Sequence, residues 1–223
     1  MFSRELIRLV PFASLVLLYL YQVKPVPELN GYPEESFRSV FFKLLPMIYL
    51  MLAVWAEHNS KKDKKYSRTI LTGLFFSAFG DACLVWRVKL FIPGLLFFSI
   101  AHIFYAFAMR FKYLGIKFAL ISSVVFPLAF HLVSKIDDFV MKILVFYYCS
   151  LIFLIVWRSF VRMSRLHFNS GRYAVIGAIF FGCSDYLIGC DKWIISIPQS
   201  SLLIMITYYT AQAFLACSVF ASD

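Results

Sequence analysis

Eight apolar runs divide the chain: Leu6–Val23, Val40–Ala56, Thr69–Trp86, Phe91–Met109, Gly115–Val133, Phe139–Trp157, Ala174–Cys190 and Ser200–Ala221. Each is close to the ~20 residues that a helix needs to cross a bilayer. The runs are continuously apolar rather than alternating, which argues against a membrane β-barrel. No water reaches the backbone at that depth, so each run must satisfy its own hydrogen bonds as a helix. The pattern predicts an all-α polytopic membrane protein with eight transmembrane helices, forming a single transmembrane domain over residues 1–223. Arg4 and Arg8 precede or open the first run, and Lys24-Pro25 ends it without a small-x-small cleavage pattern. It is therefore read as a first span rather than a signal peptide.

Composition strengthens this picture. The chain is 61% apolar and 15% charged, against about 25% charged in soluble domains. A net charge of +10 could suggest nucleic acid, but the basic residues gather at helix ends and in short loops, where they set membrane orientation. Fourteen of the 22 lysines and arginines fall on the side of the N-terminus and the second, fourth and sixth loops. That excess predicts cytosolic N- and C-termini. The opposite loops hold Glu28, Glu34, Glu35, Asp137, Asp138 and Asp191. The five cysteines show no paired spacing and read as small hydrophobes rather than a disulfide framework.

Two positions break the apolar pattern. Asp81 and Asp185 each sit about five residues, or ~7 Å, inside the non-cytosolic end of a span. A mid-membrane aspartate costs about 2.5–3.5 kcal/mol on insertion scales, so it faces the bundle interior with a partner or a task. The surroundings of the two are alike. Gly73 and Gly177 lie eight residues before the aspartates, Phe76 and Phe180 five before, and Gly80 and Ser184 one before. Lys43-Leu-Leu in the second span has an echo in Lys142-Ile-Leu in the sixth. Such echoes four spans apart fit a parallel four-plus-four internal repeat, against the background of chance likeness between apolar helices.

Lys43 lies at the level of the aspartates and is placed to neutralise one of them. Burial and a like-charged neighbour would then favour the protonated form of the other. His102 and Tyr105 share a face of the fourth span; Tyr208, Tyr209 and Gln212 lie on the eighth. His102 is the one histidine at the centre of a span, and a structural hydrogen bond is its plainest reading. Beside two aspartates and a lysine it becomes a candidate catalytic group with Asp81 and Asp185. Lys43, Gly80, Tyr105, Tyr208, Tyr209 and Gln212 are the candidate substrate-binding set. One central histidine cannot build a three-histidine metal site, and neither a Gly-x-Ser-x-Gly elbow nor a glycine-rich phosphate loop is present.

At these residues the sequence resembles the lysoplasmalogenase family, the YhhN-type multi-pass membrane proteins, and especially its animal members. The matching pieces are Lys43-Leu-Leu-Pro46, the block Phe76–Trp86 containing Gly80-Asp81, Pro93-Gly94, Ala101-His102-Ile-Phe-Tyr105, Ser184-Asp185 and the block Thr207–Gln212. The resemblance implies a hydrolase of the vinyl ether bond of lysoplasmalogens, releasing a fatty aldehyde and glycerophosphoethanolamine or glycerophosphocholine. It also implies an endoplasmic reticulum location.

A vinyl ether is labile to acid. Protonation of its β-carbon gives an oxocarbenium ion, water adds, and the hemiacetal collapses. This needs a proton donor near working pH and a negative charge beside the cation, as in two-carboxylate glycosidases. Asp81 and Asp185 are expected to form one coupled site, with Asp185 as donor, Asp81 ionised beside Lys43, and no metal or organic cofactor required. His102 and Tyr105 would orient water or the glycerol hydroxyl. The alkenyl tail is expected among Phe75, Phe79, Phe97 and Phe98. The partners expected are the lysophospholipid substrate and the bilayer, with no nucleic acid; the sequence carries no signal of oligomeric state. Two other readings stay open: a proton-coupled transporter, which also uses intramembrane carboxylates, and a non-catalytic lipid-binding protein. Mid-span helix breaks would favour the transporter.

Overall fold

The structure is a computed structural model that describes residues 7–26 and 31–221. Leu6, the expected start of the first span, and the charges on Arg4 and Glu28 lie outside the described residues. The helices are α1 (Val10–Gln22), α2 (Phe37–His58), α3 (Lys64–Cys83), α4 (Phe91–Ala108), α5 (Ile116–Ser122), α6 (Val125–Val133), α7 (Phe139–Arg165), α8 (Phe168–Trp193) and α9 (Ser200–Phe220). A 3₁₀ turn, Leu84–Trp86, continues α3. Seven helical segments, with α5 and α6 taken together, are long and apolar enough to span a membrane. The eighth, α1, has 13 residues. The chain is an integral membrane protein, and its lipid face is marked by large exposed apolar side chains such as Phe41, Leu52, Phe75, Phe107 and Phe146.

Local chemistry explains where the helices start and break. Ser36, Asp63 and Asp138 cap α2, α3 and α7, each accepting a bond from the backbone N–H three residues on, which satisfies a donor that the helix leaves free. The fifth span is two helices rather than one, interrupted at Ser123-Val124. The reason is Pro127: it has no N–H for the carbonyl of Ser123, and its ring crowds that carbonyl. Pro46 lies inside α2 without ending it.

The sixth loop, expected to be polar and cytosolic, is almost entirely helical. Helix α7 runs on to Arg165 and α8 begins at Phe168. Arg158 and Arg162 are buried rather than solvated. The Arg158 guanidinium donates to the carbonyls of Arg110 and Tyr113, closing the α4–α5 connection. Arg162 lies 3.5 Å from the centre of the Tyr66 ring and donates to Ser170 Oγ at 3.0 Å. These two cations tie helix ends together and are poor counters of membrane sidedness.

Helix α9 is the most enclosed and packs chiefly on α8, with further contacts to α2 and α3. Small residues allow the closest approaches. A Cβ on Gly177 would come within 3.0 Å of the Ala211 carbonyl on α9, and one on Gly73 within 2.3 Å of the Tyr105 ring on α4. Both glycines of the suggested repeat thus face the helix that follows. The likeness stops there: Lys43 pairs with Asp81, whereas Lys142 makes no ion pair with Asp185 among the described residues. The four-plus-four repeat remains an expectation.

Candidate active site

The two aspartates stand in two separate clusters. Asp81, on the last turn of α3, is buried. Its Oδ1 lies 3.3 Å from Lys43 Nζ on α2, and its Oδ2 accepts a hydrogen bond from the Tyr208 hydroxyl on α9. Lys43 Nζ also donates to the Asp81 backbone carbonyl at 3.1 Å. Tyr209 donates to the Lys43 carbonyl at 2.9 Å, and its ring is met edge-on by Phe12 and Tyr19 of α1. This cluster clasps α1, α2, α3 and α9. Both carboxylate oxygens are engaged by donors, an arrangement suited to the ionised form.

Asp185 lies on α8. Its Oδ2 accepts from the Tyr148 hydroxyl of α7 at 2.9 Å and stands 3.5 Å from His102 Nε2 of α4. The other imidazole nitrogen, Nδ1, lies 2.7 Å from the Phe98 carbonyl one turn back. A carbonyl only accepts, so Nδ1 carries a hydrogen. A neutral His102 therefore turns the bare lone pair of Nε2 towards Asp185. Nε2 is buried and has no hydrogen-bond partner among the described residues. Two acceptors facing each other are reconciled by one proton, held on the carboxyl or on the imidazole.

Where one coupled carboxylate pair was expected, Asp81 and Asp185 share no hydrogen-bond or ion-pair partner among the described residues. The path between them runs through rings: Tyr208 packs on Phe181 at 5.6 Å between centroids, and Phe181 on His102 at 4.6 Å. Gly80 gives way to one such ring. A Cβ there would lie 2.6 Å from Phe98, so the glycine admits an aromatic side chain rather than a substrate backbone. Tyr105 and Gln212 form a third cluster. The Tyr105 hydroxyl donates to Gln212 Oε1 at 2.8 Å and lies 3.2 Å from Ser77 Oγ. Both residues are buried among helices.

A cavity of about 240 Å³ opens among α4, α6, α7 and α8. Phe98, Val125, Leu128, Ala129, Ile152 and Gly182 are among its apolar walls, and Asp185 is its one charged lining residue among those described, with Tyr148 beside it. Neither Asp81 nor Lys43, Tyr105, Tyr208, Tyr209 or Gln212 reaches this cavity. The expected phenylalanine lining is corrected as well. Phe98 lines it, while Phe75 and Phe79 are half exposed on the outer face of α3. The cause is rotational: Phe75 and Phe79 are one turn apart on the face opposite Ser77 and Asp81. Tyr148 is the site residue that sequence reasoning missed. It is one of thirteen tyrosines, and only the packing of α7 on α8 brings it to Asp185.

Human lysoplasmalogenase TMEM86A is 33% identical over 221 residues, which cover 96% of this chain and 89% of that protein. The bovine lysoplasmalogenase TMEM86A is 30% identical over the same shares. Human lysoplasmalogenase TMEM86B is 29% identical over 194 residues, 85% of this chain and 80% of that protein. No solved structure matches. The YhhN family profile matches residues 38–219, from the start of α2 to the end of α9, a range that holds Lys43, Asp81, His102, Tyr148 and Asp185. The chain belongs to the YhhN family.

Proposed function

We propose that this protein hydrolyses the vinyl ether bond of lysoplasmalogens, with Asp185 as the proton donor. The observation that carries this reading is a single carboxyl group on the wall of an otherwise apolar cavity, backed by a histidine that shares its proton. The cavity takes the alkenyl chain, as apolar pockets with few polar groups do. The Asp185 carboxyl, hydrogen-bonded by Tyr148 and backed by His102, gives its proton to the β-carbon. The electron pair of the double bond forms the new C–H bond, and the ether oxygen shares the resulting positive charge. The carboxylate left behind stabilises that oxocarbenium ion. Water then attacks the α-carbon and loses a proton to the Asp185–His102 pair, which restores the donor. The hemiacetal collapses to fatty aldehyde, and the glycerol hydroxyl leaves with a proton. The substrate is a lysoplasmenylethanolamine or lysoplasmenylcholine, and the water-soluble product the matching glycerophosphodiester.

Asp81 has a different part in this account. Its carboxylate holds Lys43 in place and stays ionised. The chain acts as one transmembrane domain with both termini in the cytosol, in the endoplasmic reticulum membrane. The break at Ser123-Val124 is the one feature that favours transport, because transporters bind ions at broken helices. No ionisable side chain sits at this break, and Val124 and Val125 face the apolar cavity instead. The test is purified protein given lysoplasmenylethanolamine. Aldehyde release is expected from the wild type and not from Asp185→Asn; a wild type that releases none overturns the enzyme reading.

A further inference from the structure

A second, smaller cavity of about 70 Å³ adjoins the first, and the two share Leu84, Phe91 and Ile188 as walls. Its character is opposite. Among the described residues, Lys43, Arg87 and Lys192 line it, against one acid, Asp191. That acid is already engaged: Oδ1 accepts from the Ile197 N–H at 3.0 Å and Oδ2 from the Tyr32 hydroxyl at 2.8 Å. Burial is the main cause that pushes the Tyr32 phenol up to about 12, so at neutral pH it remains a donor.

The two outer cations are poorly matched by protein. Arg87 lies 3.4 Å from the centre of the Tyr32 ring and approaches Asp191 only to 3.9 Å. Its Nη1 is buried with no hydrogen-bond partner among the described residues. Lys192 makes no ion pair among the described residues, and its Nζ stands 4.4 Å from the centre of the Phe91 ring. Arg87 and Lys192 also act on each other by charge repulsion. Among the described residues, a buried guanidinium nitrogen without a hydrogen-bond partner and a neighbouring ammonium without an ion pair make a site that an anion would complete. Position fixes what the anion belongs to. Lys192 lies seven residues beyond Asp185 on α8, two turns and ~10 Å along the same face. A glycerol unit with its phosphate is of that length.

We infer that Arg87 and Lys192 bind the phosphodiester of a single-chain ether lysophospholipid whose chain occupies the adjoining apolar cavity. The inference rests on the vinyl ether reading, but its test does not need turnover. The probe is a saturated 1-O-alkyl glycerophosphocholine, which has no double bond to protonate. Its binding to purified protein in nanodiscs is compared with that of the matching 1-O-alkylglycerol, which lacks the phosphate. Arg87→Gln and Lys192→Gln are each expected to weaken the phospholipid about tenfold or more, the scale of a charge-assisted hydrogen bond. Binding of the alkylglycerol should be unchanged, and Arg87→Lys should retain part of the affinity. Equal weakening of both ligands, or of neither, overturns the assignment. If inorganic phosphate alone binds as tightly as the lysolipid, with the same loss in both variants, the site is one for free phosphate and the lipid assignment falls. Aldehyde release is assayed on the same preparations. A wild type that shows the phosphate-dependent binding yet releases no aldehyde refutes the catalytic reading and leaves the subsite standing.

Discussion

At the scale of single residues, the two aspartates separate by what surrounds them. Asp81 faces a lysine and a tyrosine that donate to it, whereas Asp185 faces a histidine whose near nitrogen bears no hydrogen when the ring is neutral. Asp185→Asn is expected to lower kcat about 10²–10⁴-fold, the span that general acid catalysis contributes, with little change in thermal midpoint. Lys43→Met should instead act on stability, by about 3–5 kcal/mol, because it leaves the Asp81 charge buried and unpaired. A thermal melt separates the two effects, and Lys43→Met combined with Asp81→Asn should recover part of the loss. Asp81, Asp185 and Lys43 were legible in the sequence because a charge inside an apolar run stands out at once. Their assignment to separate clusters was not, since no local pattern tells which of several helices a side chain will face. Tyr148 had no signal at all among apolar neighbours that resemble it.

At the scale of helices, the catalytic wall depends on two close approaches. Gly80 lets the Phe98 ring sit against α3, and the Phe98 carbonyl fixes the His102 ring. Gly80→Val should therefore displace that ring and lower kcat without touching a charged group, which single-turnover kinetics on the variant would reveal. On the far wall, Ala129 of α6 is buried and lines the cavity. Ala129→Phe should fill part of the space for the chain. Each methylene pushed back into water costs about 0.8 kcal/mol, so KM should rise about tenfold or more for long-chain substrates and little for short ones. Uniform loss across chain lengths would count against the cavity as the tail site. The span positions were readable because apolar length and charge set them. The break in the fifth span was less so: Pro127 and Pro46 look alike in sequence, and only one of them ends a helix. Arg158 and Arg162 misled in the other direction, since their place at a span end suggested solvent and their hydrogen bonds hold them inside.

For the whole molecule, the apolar cavity and the basic one lie end to end, with Asp185 on the wall of the first and Lys192 two helical turns away at the second. That order matches a molecule with one long chain, an acid-labile bond and a phosphate. Neither cavity was visible in the sequence, because each is lined by side chains from several spans and depends on how those helices rotate. The charge count predicts both termini in the cytosol, so tags placed at the two ends should both be accessible on the cytosolic side of sealed microsomes; a lumenal C-terminus would refute it. The most direct test of the central claim is aldehyde release from a lysoplasmalogen by equal amounts of folded wild-type and Asp185→Asn protein, with matched thermal midpoints. Steady release is expected from the first and a fall of about 10²–10⁴-fold in the second. Near-wild-type release from Asp185→Asn would contradict it.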